Sequence, residues 1–353
     1  MKEVLSRTEC AAMRGIAIMA IMLHNYCHFL NGIVRENEYT WTPSKCYRLW
    51  DVLQHPDELL PIHLLSFFGH YGVPVFLFLS GFGLVMKYEK DSATEVSLWR
   101  FVRYNYLKLF RILVVGFVVF ILIDAITPGM HRYQWMEVVG MLGMFSNLFE
   151  NPSQVIWPGP YWYFGLTLQL YIVYRLLLYR WRHWSIVVLL MAVCWLLQEA
   201  YIDDREMLER LRYNFIGGML PFGIGVLIAR YVDGIQASFK DTTMIHLGVL
   251  ILSIVLITFM SMYQQAWLWV PAFIVVGTIA LVKVLPQTVL NWLIWIGSIS
   301  AAIFVSHPII RKIIIRPYIQ MDLYAGLLLY IVAALLVGWL LTMVINKIPK
   351  PKL

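Results

Sequence analysis

The sequence predicts an all-α, polytopic membrane helix bundle of about ten transmembrane helices, with both termini cytoplasmic. Three observations lead there. Of 353 residues, 60% are hydrophobic and 14% charged, whereas soluble domains run nearer one half and one quarter. That argues against a soluble enzyme and excludes a disordered or fibrous chain. Apolar runs of the roughly 20 residues that a helix needs to cross a bilayer recur along the whole chain. The 14 Trp and 20 Tyr suit many crossings of the membrane–water interface.

The runs are 11–31, 62–86, 106–127, 160–179, 184–200, 213–231, 243–262, 266–284, 289–314 and 323–346. The first holds Arg14, His24, Asn25 and His28 and lacks a small-residue cleavage site, so it reads as a retained span rather than a signal peptide. Between the first two lies 32–61, a polar stretch with Trp41, Pro43, Trp50, Pro56 and Pro61 that reads as a structured outer cap. Between the next two lies 87–105, a cytoplasmic basic loop. Residues 136–149 are apolar but would cover only about 20 Å as a helix, so they read as re-entrant or interfacial. With the N-terminus inside, alternation places 18 of the 28 Lys and Arg in the cytoplasm and 10 outside, as the positive-inside rule expects. The net charge of +7 therefore belongs to membrane topology and does not point to nucleic acid. Cys10, Cys27, Cys46 and Cys194 include no C-x-x-C pair, so neither a disulfide framework nor a zinc site is expected. No internal repeat or soluble segment divides 1–353, which reads as one membrane domain. Nothing in it sets the oligomeric state.

Ionisable side chains inside spans cost a few kcal/mol each and so mark function. Three groups stand out. In the first span, Arg14 sits at the cytoplasmic end and His24 lies about 15 Å deeper. His28 follows on the same face one turn further out. An imidazole titrates near neutrality and can take a proton from a hydroxyl; the rival role is a polar contact between helices. His24 lies about 80° around the helix from Arg14 and Asn25 only about 20°, so Asn25 or His28 shares the candidacy. In the third span, Arg100, Tyr104, Lys108 and Arg111 fall within about 80° of arc, with Arg103 at the edge. Topology alone does not need Lys108 and Arg111 inside the apolar run. Such a cationic stripe suits a ligand with several phosphates. The third group is Ser306-His307-Pro308, followed by Arg311, Lys312 and Arg316; His307 gains meaning if it faces the cavity of His24. Of the weaker features, the Gly-rich 67–83 run suits close helix packing, Gln169 suits a mid-span hydrogen bond, and Asp124 reads as a solvated group near the outer end of its span.

These residues together resemble the acyltransferase-3 family of polytopic membrane O-acyltransferases, in its stand-alone form without a soluble esterase-like domain. The resemblance rests on Arg14 and His24, on the Phe67-to-Phe82 run with Gly-Val-Pro-Val-Phe-Leu-Phe-Leu-Ser-Gly-Phe, and on Lys108-x-x-Arg111. Pro160-Tyr-Trp-Tyr-Phe164 and the late Ser-His-Pro complete it, in that order through most of the chain. Lys108 stands where the family often has Arg, and Gln169 near a position often acidic. The resemblance implies transfer of an acyl group, usually acetyl, from cytoplasmic acyl-CoA to a hydroxyl of a membrane-associated or exported carbohydrate or glycolipid, in a bacterial inner membrane. It ties activity to Arg14, His24, Lys108 and Arg111.

The expected mechanism docks the nucleotide end of acetyl-CoA, or another acyl-CoA, on Arg14, Arg103, Lys108 and Arg111. His24 then acts as general base, helped by Asn25 or His28, and His307, Asn25 or Ser80 steadies the oxyanion. No metal is expected. The alternative is an exporter of a lipid-linked or polymeric sugar, with the same buried groups along its path; no inverted repeat of the transporter kind supports it.

Overall fold

The computed structural model describes residues 5–90, 96–232, 243–318 and 322–353, the side chains of 316–318 excepted. Lys2 and Lys240 from the charge count, the side chain of Arg316, and 91–95 of the expected basic loop lie outside the described residues. The described residues fold as helices without a strand. Their order is α1 (Arg7–Cys27), α2 (Pro43–Gln54), α3 (Leu60–Phe68), α4 (Gly72–Val85), α5 (Leu98–Ile126), α6 (Trp135–Leu142), α7 (Pro152–Val155) and α8 (Trp162–Val173). Then follow α9 (Trp184–Ala200), α10 (Arg205–Tyr213), α11 (Phe215–Leu227), α12 (Thr243–Met260), α13 (Gln264–Trp267), α14 (Val270–Val284), α15 (Gln287–Ser298), α16 (Ser300–Tyr318) and α17 (Leu323–Lys347).

Helix occupies each of the ten apolar runs, in different forms. Among the described residues six helical stretches are long and apolar enough to cross a membrane: α1, Leu60–Lys90, α5, Phe215–Val232, α12 and α17. The ninth run is not one straight span. It breaks into α15 and α16, bent by 73°, and qualifies as a membrane span only as a bent pair. The cause is local: Ser300 Oγ donates to the Gly297 carbonyl at 2.8 Å, Ser298 Oγ to Trp295 at 2.6 Å, and Ile299 between them leaves helical geometry. The basic loop is also shorter than expected. Ser97 caps α5, accepting from the Arg100 N–H, so 98–105 are already helical. Residues 136–149 form α6 and a 3₁₀ turn at Ser146–Leu148, too short to span.

Burial sorts the helices into layers. Leu60–Lys90 is 78% buried and α1 61%, while α12 is only 6% buried. A helix apolar all round and exposed, as α12 is at Ile251, Leu252, Val255 and Phe259, has lipid as its only matching solvent. At the centre α1 packs on α15 and on the α3–α4 segment, α4 on α11, and α16 on α5 and α17. Ser6 and Glu9 form a capping box that starts α1, and Lys283 of α14 pairs with Glu9 at 2.6 Å.

Glycine sets how closely the α3–α4 break approaches α1. A Cβ on Gly69 would stand 2.6 Å from the Ala20 carbonyl oxygen and 2.7 Å from His24 Cβ, and one on Gly72 would meet the Ala17 carbonyl. Only hydrogen fits there. The 3₁₀ turn Gly69–Tyr71 between the two helices thus lies directly against the middle of α1.

At the other end, α4, α8 and α11 each finish in a five-residue π-helical turn: Met86–Lys90, Tyr174–Leu178 and Ile228–Val232. One buried ion pair ties the three together. Arg230 grips Glu89 through two nitrogens at 2.7 and 2.9 Å, Tyr174 donates to Glu89 at 2.7 Å, and Arg230 also donates to the Leu178 carbonyl at 2.8 Å. Asp124, expected to be solvated, is instead fully buried; it pairs with Lys312 and accepts from the His131 N–H at 2.9 Å. Gln169 joins α8 to the start of α11, donating to Asn214 at 2.7 Å and accepting from the Phe215 N–H at 2.9 Å.

Candidate functional site

Two cavities lie along α1, one towards each end. The first, about 380 Å³, is lined by Arg14 of α1, Ser80 and Gly83 of α4, Lys87 and Tyr88 of the π turn, Asn105 and Lys108 of α5, and Ser300 of α16. Three cations therefore border it. Lys87 Nζ lies 3.9 Å from the centre of the Tyr104 ring, a cation–π contact that fixes its direction. The π turn carrying Lys87 and Tyr88 is the one anchored by Glu89 and Arg230.

The expected cationic stripe of α5 divides at this cavity. Asn105, Lys108, Leu109 and Ile112 line it. Arg103 and Arg111 do not, because both lie more than about 90° around the helix from the centre of that face. Arg103 is exposed; the Nε of Arg111 is buried with no hydrogen-bond partner.

The second cavity, about 200 Å³, is lined by His24 and Asn25 of α1 and His28 at its C-cap, by Glu38 of the cap, by His70 of the 3₁₀ turn, and by Arg311 of α16. His24 Nδ1 lies 2.8 Å from the Ser66 carbonyl. A carbonyl only accepts, so Nδ1 carries the proton and Nε2 keeps its lone pair, the tautomer a general base requires. The bond has a local cause: Ser66 sits in the last turn of α3, where carbonyls lack helical partners. The His28 and His70 rings stand 5.0 and 5.4 Å from His24.

Asn25 is not placed as a base. Its Nδ2 donates to the Ile21 carbonyl at 3.2 Å and its Oδ1 accepts from Arg311 at 3.1 Å. The amide thus positions the guanidinium, which also lies 3.8 Å over the Phe29 ring. Among the described residues Arg311 meets no carboxylate, so a largely buried cation borders the same cavity as His24. Glu38 approaches His70 at 3.5 Å, and burial pushes its carboxyl up to about 7.

His307 lines neither cavity. It is fully buried behind Phe304, with Nδ1 donating to the Ile303 carbonyl at 3.1 Å and Nε2 without a partner. Ser80, an expected oxyanion partner, borders the first cavity and not that of His24. Four lining residues have no assigned role in the sequence reading, although Arg311 is named there beside His307. Arg311 and Lys87 were counted as topology charges, and His70 was absorbed into a packing run. Glu38 lies in a polar loop that no local pattern connects to α1.

Tyr163 and Phe304 line both cavities. Their rings meet edge to face at 5.4 Å, and Phe304 also packs on Phe164 at 5.7 Å. The aromatic start of α8 therefore builds a partition between a cationic cavity and a histidine cavity. Among the described residues no group of three or more His, Cys, Asp or Glu is arranged to hold a metal ion.

No curated protein and no solved structure matches the chain. The sequence model of the acyltransferase-3 family, described as "Acyltransferase domain", matches residues 11–343. That span takes in both cavities and their partition, and the chain belongs to this family of acyltransferases as an integral membrane protein.

Proposed function

We propose that the protein is a membrane O-acyltransferase that moves an acyl group, acetyl first among them, from cytoplasmic acyl-CoA to a hydroxyl of a cell-surface or exported carbohydrate or glycolipid. The observation that carries this reading is the pair of cavities with a shared aromatic wall, Arg14, Lys87 and Lys108 on one side and His24 on the other. The three cations suit the phosphates of the donor, and Tyr163 and Phe304 line the same cavity, so the thiol arm is directed towards them in this reading. The second cavity takes the acceptor. There His24 Nε2 removes the hydroxyl proton as the hydroxyl oxygen bonds to the acyl carbon. The C–S bond breaks and the thiol leaves with that proton. Arg311, held by Asn25 in the lining of the same cavity, supplies the donor for the developing oxyanion. Arg103 and Arg111 stay outside the cavity lining, so their part is secondary to that of Lys108. Both termini lie inside and the membrane is a bacterial inner membrane in this reading.

The test is acetyl-CoA binding to the purified protein in detergent, followed by label transfer from radiolabelled acetyl-CoA to membrane carbohydrate. Wild-type binding that disappears in Lys87→Ala/Lys108→Ala, with the fold retained, supports the donor site. A folded wild type that binds neither acetyl-CoA nor longer acyl-CoAs overturns the reading and favours the exporter.

A further inference from the structure

A third cavity, of about 360 Å³, lies apart from the two at α1, beside the π turn that ends α8. Its lining is amphipathic: Arg175, Arg180, Arg182 and Tyr179 together with Leu98 and Leu176. Arg175 and Arg182 both lie over the Tyr179 ring, at 4.6 and 4.5 Å from its centre. The two guanidiniums are thus within about 9 Å of each other, a repulsion that salt screens only partly. Backbone carbonyls hold them there: Arg175 donates to Val96 at 2.7 Å and Arg182 to Tyr179 at 3.3 Å. Among the described residues no carboxylate pairs with any of the three arginines.

A small water-soluble anion would need only the arginines. The rest of the lining needs another explanation. Leu98 and Leu176 are 42% and 46% exposed, and Trp181 and Trp184 beside them 48% and 52%. Exposed Trp flanking an apolar surface marks the headgroup level of a bilayer. Guanidinium groups there match a phosphodiester with paired hydrogen bonds, and the leucines match the glycerol and first acyl carbons.

We infer that the cavity of Arg175, Arg180 and Arg182 is a binding site for the headgroup of an anionic phospholipid in the leaflet that the positive-inside rule assigns to the cytoplasm. It is separate from the donor and acceptor cavities and does not depend on the proposed reaction. Basic pockets between membrane helices take such headgroups through charge and shape together.

The experiment is native mass spectrometry of the full chain, delipidated in nonionic detergent and then offered dioleoyl phosphatidylglycerol or dioleoyl phosphatidylcholine. The expected result is one retained phosphatidylglycerol per chain, in clear excess over phosphatidylcholine. Arg180→Ala/Arg182→Ala lowers that occupancy by about thirtyfold. Both side chains are exposed, so the variant is expected to fold, and its melting in the same detergent checks this. If it does not fold, Arg180→Gln and Arg182→Gln singly replace it, each with a smaller loss. Equal retention of the two lipids, or retention unchanged in the folded variants, overturns the inference. Displacement of phosphatidylglycerol by millimolar inorganic phosphate also overturns it, because the site would then read a free phosphate and not a lipid.

Discussion

Replacing His24 by asparagine separates its two nitrogens. The Asn amide nitrogen stands as many bonds from Cβ as His Nδ1 does, so it can still donate to the Ser66 carbonyl now 2.8 Å from Nδ1. Nothing replaces Nε2. If Nε2 is the general base, His24→Asn keeps the fold and lowers the transfer rate by about 10²–10⁴, a barrier increase of about 3–5 kcal/mol. His24→Ala removes the donor as well. Ser66 is fully buried, and a stranded buried carbonyl costs about 1–3 kcal/mol, so the alanine variant also melts lower. The assay is initial-rate transfer from radiolabelled acetyl-CoA, with melting of each variant in detergent. A well-folded His24→Asn variant within tenfold of wild type would refute the base assignment. So would an asparagine variant that melts lower than the alanine variant, because the Ser66 bond would then not explain the tautomer.

The other cations and carboxylates give sharper contrasts. Lys108→Ala raises KM for acyl-CoA by about tenfold or more, while Arg103→Ala, off the cavity face, leaves it within about twofold; equal effects would put the donor elsewhere on α5. Arg230→Ala strands the buried Glu89 and costs about 3–5 kcal/mol of stability, read as a fall in melting temperature, and Arg230→Met/Glu89→Gln recovers much of it. If the single and double variants melt alike, the pair does not hold the three π turns. Burial raises the Glu38 carboxyl from the usual 4.5 to about 7. A raised acid binds its proton more tightly when folded, so its stabilising contribution is full below about 4.5 and is lost as pH rises to about 7. Melting followed from pH 5 to 8 should fall along that window in wild type and less steeply in Glu38→Gln. Glu36, also raised to about 7 and paired with Lys45, contributes over the same window, so part of the slope remains in Glu38→Gln.

What could be read from the residues alone follows a physical line. Helical periodicity and hydrophobic length are local, so the all-α bundle was legible, and so was the shared face of His24 and His28; that Asn25 borders the same cavity depends on the neighbouring helices. The stripe on α5 was legible as a stripe, but not which edge of it would face inward, because neighbouring helices decide rotation. The ninth run read as a single span because Gly297-Ser-Ile-Ser carries no proline, and the break depends on two serine hydroxyls finding backbone carbonyls. Arg311 meets Asn25 across 286 positions of sequence, and Glu38 reaches His70 from a polar loop. His307 shows the converse. Its burial cost was legible, but that it lines neither cavity is set by tertiary packing, in which the Phe304 ring 5.9 Å from its own borders both cavities instead.

That ring carries the last consequence. In the proposed reaction the donor and acceptor sides meet at the contact of Phe304 with Tyr163, since these are the side chains that border both cavities. With the rings in edge-to-face contact at 5.4 Å, that reaction requires the acyl carbon to pass them to reach His24, and the closed pair would keep water on the His24 side from the thioester until then. Phe304→Ala joins the two cavities. The expected outcome is a rise in acetyl-CoA hydrolysis without acceptor, together with a fall in transfer, because water then competes for the acyl carbon beside the same base. The substitution also costs about 3–5 kcal/mol of packing, so Phe304→Leu, with a smaller void, serves as the stable version with a smaller leak. A folded Phe304→Leu variant with wild-type transfer and no added hydrolysis would mean that the partition is packing alone and that the acyl group takes another path to His24.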